Sequence, residues 1–511
     1  MEWTRRRWWA LVAASILVRA PLAAWLQLSS DEAYYWDCSR HLDWSYFDQP
    51  PLAIWVMVPF RALLGETALA VRAPTLLSTA LIAYFLDRVI HRLGGDRRHA
   101  AAAFLLMHAT PLFFFGSAYA STDAVLMCAY LGTTQAALAI GAGERRAWWG
   151  LGLALGLGFL GKFPIVLGLV LLWPILRQPQ ARAHLRTPTP YLAALLSLLL
   201  TVPVWIWSAA NGWDNLAFQL HRVPAGFDPL NVLRFWGASA LMVTPFLAAA
   251  MVLAWWRSRR LRSAGWTTFR VAAATPLAFF SLLALRGHIG LHWAAPSLVL
   301  GFVLVMLVSF PWRRWLLPAG TVTGVAAILL LLSIVTLPGP WLGIEIALRE
   351  RWGENEKVEL VDLFGVEEIA AEVASRLRPG ELAASERYSA VHLVAFASAG
   401  SVPTRLAALT RGRHGLGSLY WHPPEDLAGR DVLFFTERDT LEERLAARFD
   451  EVREEPPRFE VRADGRVLRT VRFYRCRNLH TPAGAFSRFP AARVGATASA
   501  RGAGSAGSQA R

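Results

Sequence analysis

The sequence predicts an all-α polytopic membrane bundle of about 11 to 13 transmembrane helices, followed by a small extracytoplasmic α/β domain. Three observations predict it. Of the 511 residues 55% are hydrophobic and 23 are Trp, which is not the profile of a soluble enzyme. The apolar character fills residues 8 to about 337 and then gives way to ordinary mixed sequence. Within the apolar part the arginines fall in short clusters between apolar runs, which is how membrane proteins mark their cytoplasmic loops. The expected divisions are a membrane domain over 1–340 with an external loop at 29–67, an outer domain over 341–480, and a tail over 481–511.

The candidate spans are 8–28, 69–90, 100–119, 122–142, 147–161, 163–176, 190–210, 232–256, 267–286, 292–310 and 315–337. Most approach the roughly 20 residues that a spanning helix needs, although 147–161 and 163–176 are short. Starting from Arg5, Arg6 and Arg7, alternate connections hold Arg88, Arg92, Arg97, Arg98, Arg145, Arg146, Arg177, Arg182, Arg186, Arg257, Arg259, Arg260, Arg262, Arg313 and Arg314. The opposite connections carry only Arg40, Arg61, Lys162, Arg222 and Arg286. That asymmetry puts the N-terminus in the cytoplasm and the C-terminal domain outside. It also accounts for the net charge of +15 without a nucleic-acid partner, which would need one continuous basic face.

The basic start and first apolar run resemble a signal peptide, but no small-x-small cleavage site precedes Ser29, so the segment is expected to stay as an anchor. Pro51 to Leu64 is apolar and too short to span, and reads as an interfacial helix roofing the loop before it. Arg19 and Arg72, inside or beside spans, should each pair with a carboxylate or a backbone carbonyl. Trp8, Trp9, Trp148, Trp149, Trp255 and Trp256, near span ends, read as belt anchors at the headgroup level. Beyond Pro338, helical stretches near 366–377, 389–398 and 439–448 alternate with strand-like runs such as 431–436, and Asp464-Gly465 is a hairpin turn. The Ala/Gly/Ser/Arg-rich tail buries too little apolar surface to fold. Cys38 and Cys476 would both lie outside, yet nothing in their spacing supports a disulfide.

Chemistry concentrates in the first external loop, which reads Ser30-Asp31-Glu32-Ala33-Tyr34-Tyr35-Trp36 and then Tyr46-Phe47-Asp48-Gln49-Pro50-Pro51. Acids at the edge of the hydrocarbon are costly unless paired or used. Ser30 or Asp31 capping a helix from Glu32 is the plainer reading, but a cap needs neither the adjoining acid nor the aromatics.

The Asp-Glu-Ala-Tyr-Tyr-Trp run followed by Tyr-Phe-Asp-Gln-Pro-Pro-Leu resembles the signature of GT-C glycosyltransferases, in the branch of the protein O-mannosyltransferases and the lipid A aminoarabinose transferases. Ser121-Thr122-Asp123-Ala124, Gly158-Phe159-Leu160-Gly161-Lys162 and His288 with His292-Trp293-Ala294-Ala295-Pro296 fall where that family has similar motifs. Glu386-Arg387-Tyr388 and Tyr420-Trp421 are similar to the soluble domain of bacterial members. Gln49 departs from the family, where this position is often basic and is thought to meet donor phosphate.

The resemblance implies transfer of a sugar from a polyprenyl-phosphate carrier to a lipid or glycan acceptor, an envelope glycolipid such as lipid A being favoured over a protein, at the outer face of the cytoplasmic membrane. An acceptor hydroxyl attacking an anomeric carbon needs a carboxylate to take its proton. Asp31 is the expected base, Glu32 its orienting neighbour and Asp123 a second acid in the same cavity. The leaving phosphate needs positioned cations. Lys162 leads that set, one of two lysines in the chain; His221, Arg222 and Arg286 follow. Tyr34 and Tyr35 could stack on the sugar, and Asp48 and Gln49 complete the substrate set. His288 and His292, four apart, would share a face if helical and could hold a divalent metal with Asp31, although a hydrogen-bonding pair is the simpler reading. No cofactor is otherwise implied. A transporter or flippase for lipid-linked glycans is the rival, but it predicts ionisable groups at mid-membrane rather than at the rim.

Overall fold

The computed structural model describes residues 3–221, 226–337, 364–407, 415–423, 427–438, 441–463 and 465–479, with isolated positions 341 and 343. Helices α1 (Arg5–Trp25), α2 (Ser30–Arg40), α3 (Leu52–Trp55), α4 (Val58–Leu64), α5 (Ala68–Arg92), α6 (Arg97–His108), α7 (Pro111–Gly116), α8 (Thr122–Gly141) and α9 (Ala147–Gly161) come first. A 3-10 segment (Phe163–Leu171) leads into α10 (Leu172–Leu176) and α11 (Pro179–His184). Then follow α12 (Thr189–Ala210), α13 (Asp214–His221), α14 (Leu230–Val243), α15 (Pro245–Ser258), α16 (Ala264–Ala284), α17 (Ala295–Leu307) and α18 (Arg313–Thr336). Six of these helices are long and apolar enough to cross a membrane, or seven with the bent pair α14–α15, among the described residues. The chain is a multi-pass membrane protein, and every predicted apolar run is helical.

Several runs expected as single spans are broken, for a common reason. Residues 100–119 split at Thr110-Pro111, 163–176 opens as a 3-10 turn at Phe163-Pro164, and 232–256 bends by 107° at Thr244-Pro245. A proline pushes the preceding residue out of the α region and then fits the first turn of the next helix. Thr244 pays for its position with φ +70°, which is strained for a β-branched residue. The 292–310 run likewise begins as a short 3-10 turn, Leu291–Ala294.

Where helices cross closely, glycine makes room. A Cβ on Gly152 of α9 would lie 2.2 Å from the Ala193 carbonyl oxygen on α12, and one on Gly324 of α18 would lie 2.1 Å from the Ala109 carbonyl oxygen. Small residues at such crossings let backbones approach in a membrane, where packing rather than hydrophobicity holds helices together. Gly152→Ala is therefore expected to lower the unfolding temperature of the detergent-purified protein by several degrees. Gly150→Ala, whose Cβ would meet only the Ala136 Cβ at 3.8 Å, should leave it nearly unchanged.

Trp8 and Trp148 depart from the belt expectation: both are buried, Trp8 edge-on against Phe104 at 5.6 Å and Trp148 bonded to His184. Trp149 and Trp256 are exposed as expected. Arg72 is tied to carbonyls and to a carboxylate, whereas buried Arg19 bonds the Ser15 hydroxyl at 2.8 Å and not the expected carboxylate or carbonyl. The three cysteines are unpaired.

The outer domain is a mixed sheet of β1 (Leu382–Ser385), β2 (Thr404–Leu406), β3 (Val432–Thr436), β4 (Phe449–Glu454), β5 (Phe459–Ala463) and β6 (Arg466–Leu479). Its order is β2-β1-β3-β6-β4, with β5 also on β6; β1 pairs with β2 and β3 in parallel, and β6 runs antiparallel to β3, β4 and β5. β1 and β3 are buried throughout, so they read as continuous apolar runs rather than alternating ones. The crossover from β1 to parallel β2 is the helix Tyr388–Ala397. Its outer side lies against α2, which docks the domain on the external loop. The hairpin turns at Gly465, at φ +77°; Asp464 and the tail over 481–511 fall outside the described residues.

Candidate active site

Two helix starts supply the acids. Asp31 lies in the first turn of α2, where Ser29 caps the helix: its hydroxyl accepts from the Glu32 amide, and the Glu32 carboxylate accepts from the Ser29 amide at 3.1 Å. The cap is thus Ser29 rather than Ser30 or Asp31. Asp123 lies in the first turn of α8. In both places the N-terminal end of the helix dipole favours the carboxylate.

Glu32 does not reach the reaction space. It is fully buried, and Arg72 of α5 grips both its oxygens at 2.7 Å while donating to the carbonyls of Ala23, Leu26 and Gln27. With the Ser29 amide already counted, the Ala120 amide adds a fourth bond to the carboxylate at 2.9 Å. Glu32 therefore fixes the start of α2 and the approach to α8, and Asp31 is presented as a result.

Asp31, Asp48, Asp123, Lys162 and His292 meet at one cavity of about 590 Å³, with Gln49 also in its lining. Lys162 sits at the break between α9 and Pro164, with extended backbone (φ −160°, ψ 129°). Its ammonium donates to Asp123 at 2.6 Å, and His292 lies 3.5 Å from the other Asp123 oxygen. Tyr34 donates to Asp48 at 3.0 Å, and Gln219 of α13 donates to the Asp48 carbonyl. Burial first, then the charge of Asp48, holds the Tyr34 phenol above its ordinary range; Tyr35 is raised by burial and by Asp31. Both phenols therefore stay protonated donors. Gln49 is 6% exposed and its side-chain amide nitrogen has no hydrogen-bond partner.

An apolar wall is supplied by Leu112, Phe113 and Phe115 on α7, Met242 on α14, Phe280 on α16 and Leu331 on α18. Outward faces of α14 and α18 expose Leu233, Trp236, Leu329 and Leu330, so this wall borders surface suited to hydrocarbon.

Not every expected residue joins. Arg286 and His288 are exposed and do not line the cavity. His288 lies in an irregular stretch after α16, so it shares no helix face with His292, and Asp123 rather than Asp31 is the acid beside His292. No group of three or more His, Cys, Asp or Glu side chains suited to a metal occurs among the described residues. His221 ends α13, and Arg222 lies outside the described residues. Tyr119, Phe218, Gln219 and Tyr388 line the cavity without having been singled out for it by sequence. Only Tyr388 had a signal, in the Glu-Arg-Tyr motif.

Comparison with known proteins finds similar sequences and a shared fold. The family model described as dolichyl-phosphate-mannose-protein mannosyltransferase matches residues 48–207, a stretch holding Asp48, Gln49, Asp123 and Lys162. The lipid A galacturonosyltransferase of Rhizobium johnstonii is 27% identical over 346 residues, 60% of this chain and 66% of that protein. The undecaprenyl phosphate-α-4-amino-4-deoxy-L-arabinose arabinosyl transferase of Pseudomonas aeruginosa is 30% identical over 320 residues, 55% of this chain and 56% of that protein. The matched segments thus cover less than two thirds of either relative. The crystal structure of ArnT from Cupriavidus metallidurans bound to undecaprenyl phosphate shares the fold, with a TM-score of 0.62 at 20% identity, over 92% of this chain and 98% of that one. In sequence this chain is similar to these sugar transferases, and in fold to the ArnT structure.

Proposed function

We propose that the chain is an integral membrane glycosyltransferase that moves a sugar from a polyprenyl-phosphate donor to an envelope glycolipid such as lipid A, at the outer face of the cytoplasmic membrane. The observation that carries this reading is the two-natured lining of the cavity, which combines three carboxylates and an ammonium with apolar side chains of α7, α14, α16 and α18. An amphiphilic donor suits such a space: the phosphate and sugar meet the polar groups, and the prenyl chain lies along α7, α14 and α18. Two relatives are sugar transferases, one of them a lipid A galacturonosyltransferase, which favours a glycolipid acceptor.

Asp31 takes the acceptor hydroxyl proton as the oxygen bonds to the anomeric carbon. The bond from that carbon to the phosphate oxygen breaks, and its electron pair leaves with the polyprenyl phosphate. Lys162 meets the charge that develops there, and the unpartnered Gln49 amide supplies a neutral donor beside it. Asp123 and His292 hold Lys162 in place. The orientation is supported by geometry: loop and outer domain bond each other and share a side, while Arg92 pairs with Glu144 among the Arg-rich connections expected in the cytoplasm.

Lys162→Ala is expected to raise the apparent KM for the lipid-linked donor about tenfold or more, with a smaller effect on the acceptor KM. Steady-state kinetics on the purified protein, varying one substrate at a time, would reveal it. The reading itself is tested by mass spectrometry of envelope lipids from the native host with and without the gene: loss of one glycosyl mass on deletion supports it, and an unchanged lipid profile overturns it.

A further inference from the structure

The helix Tyr388–Ala397 presents Tyr388, His392 and Phe396 to α2, one turn apart on a single face. Tyr388 donates to Asp31 at 3.0 Å, His392 is 3.0 Å from Asp37, and Phe396 meets Trp36 edge-on at 5.3 Å. His392 is fully buried, its ring 5.0 Å from that of Tyr34. Behind this face the segment 415–417 presses glycine backbone onto both tyrosines. A Cβ on Gly415, at φ +70°, would lie 2.4 Å from the Tyr388 Cβ, and one on Gly417 would lie 2.0 Å from the Tyr34 hydroxyl.

We infer, resting on Asp31 as the base, that the outer domain is part of the catalytic centre: Tyr388 is a positioning residue that fixes the Asp31 carboxylate, and the His392–Asp37 contact clamps Tyr388 in place. A carboxylate has two oxygens and a free torsion, so a donor on one oxygen sets the direction in which the other accepts a proton. Tyr35 and Tyr119 are the other titratable groups whose charges couple to Asp31, and Asp48, Asp123, Lys162 and His292 share its cavity. Burial alone would raise the Asp37 carboxyl, but the His392 bond and the nearby charges of His392, His41 and Arg40 outweigh it and hold the group below its ordinary range.

The test uses full-length protein in spheroplasts of the native host, which hold their own donor and acceptor and expose the outer face to the medium. Product is quantified by mass spectrometry. Tyr388→Phe removes one hydroxyl and is expected to lower the maximal rate about ten- to a hundredfold. His392→Leu should give the same loss, and His392→Asn, which keeps a donor near Nδ1, should reverse most of it. Folded, full-length Tyr388→Phe at the wild-type rate would overturn the inference and leave Tyr388 a packing residue. Full activity of Asp31→Asn in the same assay would instead remove the base on which it rests.

Discussion

Asp31→Asn is expected to abolish measurable transfer, a loss of at least about a hundredfold, while the protein still inserts and folds. The substitution is nearly isosteric. Asparagine at this first-turn position keeps a carbonyl oxygen that can accept from Tyr388, and the cap of α2 comes from Ser29 and Glu32 rather than from residue 31. Only the capacity to take a proton disappears. Envelope lipids of a deletion host complemented with wild type or variant would be compared at matched expression. Restoration of the glycosyl mass by the variant would show that another group takes the proton.

The second large effect is on the fold. Arg72→Met should destabilise the protein by about 3–5 kcal/mol, because it leaves the fully buried Glu32 carboxylate without its ion pair. Arg72 also donates to three carbonyls at the end of α1, so the loss unlocks the turn into α2 as well. The measurement is the yield and thermal unfolding of purified protein. Arg72→Met combined with Glu32→Gln should recover part of the loss, since the buried charge is gone; equal instability of the single and double variants would mean that the carbonyl contacts dominate.

The membrane class and the apolar runs were legible because hydrocarbon demands length and composition that no soluble helix shares. The acidic loop was legible because acids at the edge of the hydrocarbon are costly unless paired or used. Their division of labour was not: which of two adjacent acids faces the cavity depends on Arg72, forty positions away, and hydropathy carries no pairing information. The helix breaks were written as Thr-Pro and Phe-Pro steps, but inside apolar runs proline is also tolerated, as Pro74 and Pro276 show. Hydropathy cannot tell these cases apart. His288 misled because spacing by four implies a shared face only on a helix. Tyr388 lies more than three hundred residues from Asp31, beyond the reach of any local pattern.

The bend at Thr244-Pro245 bears on the membrane itself. α14 has 14 residues, about 21 Å at 1.5 Å per residue, against a hydrocarbon core of about 30 Å. Its partner α15 turns away by 107° and cannot lengthen it. Lipids beside a short wall thin and tilt to match it, so the outer leaflet should dip at the mouth of the cavity. On the proposed reading, an acceptor glycolipid headgroup would be carried down toward Asp31 by the shape of the bilayer, its acyl chains staying in the hydrocarbon.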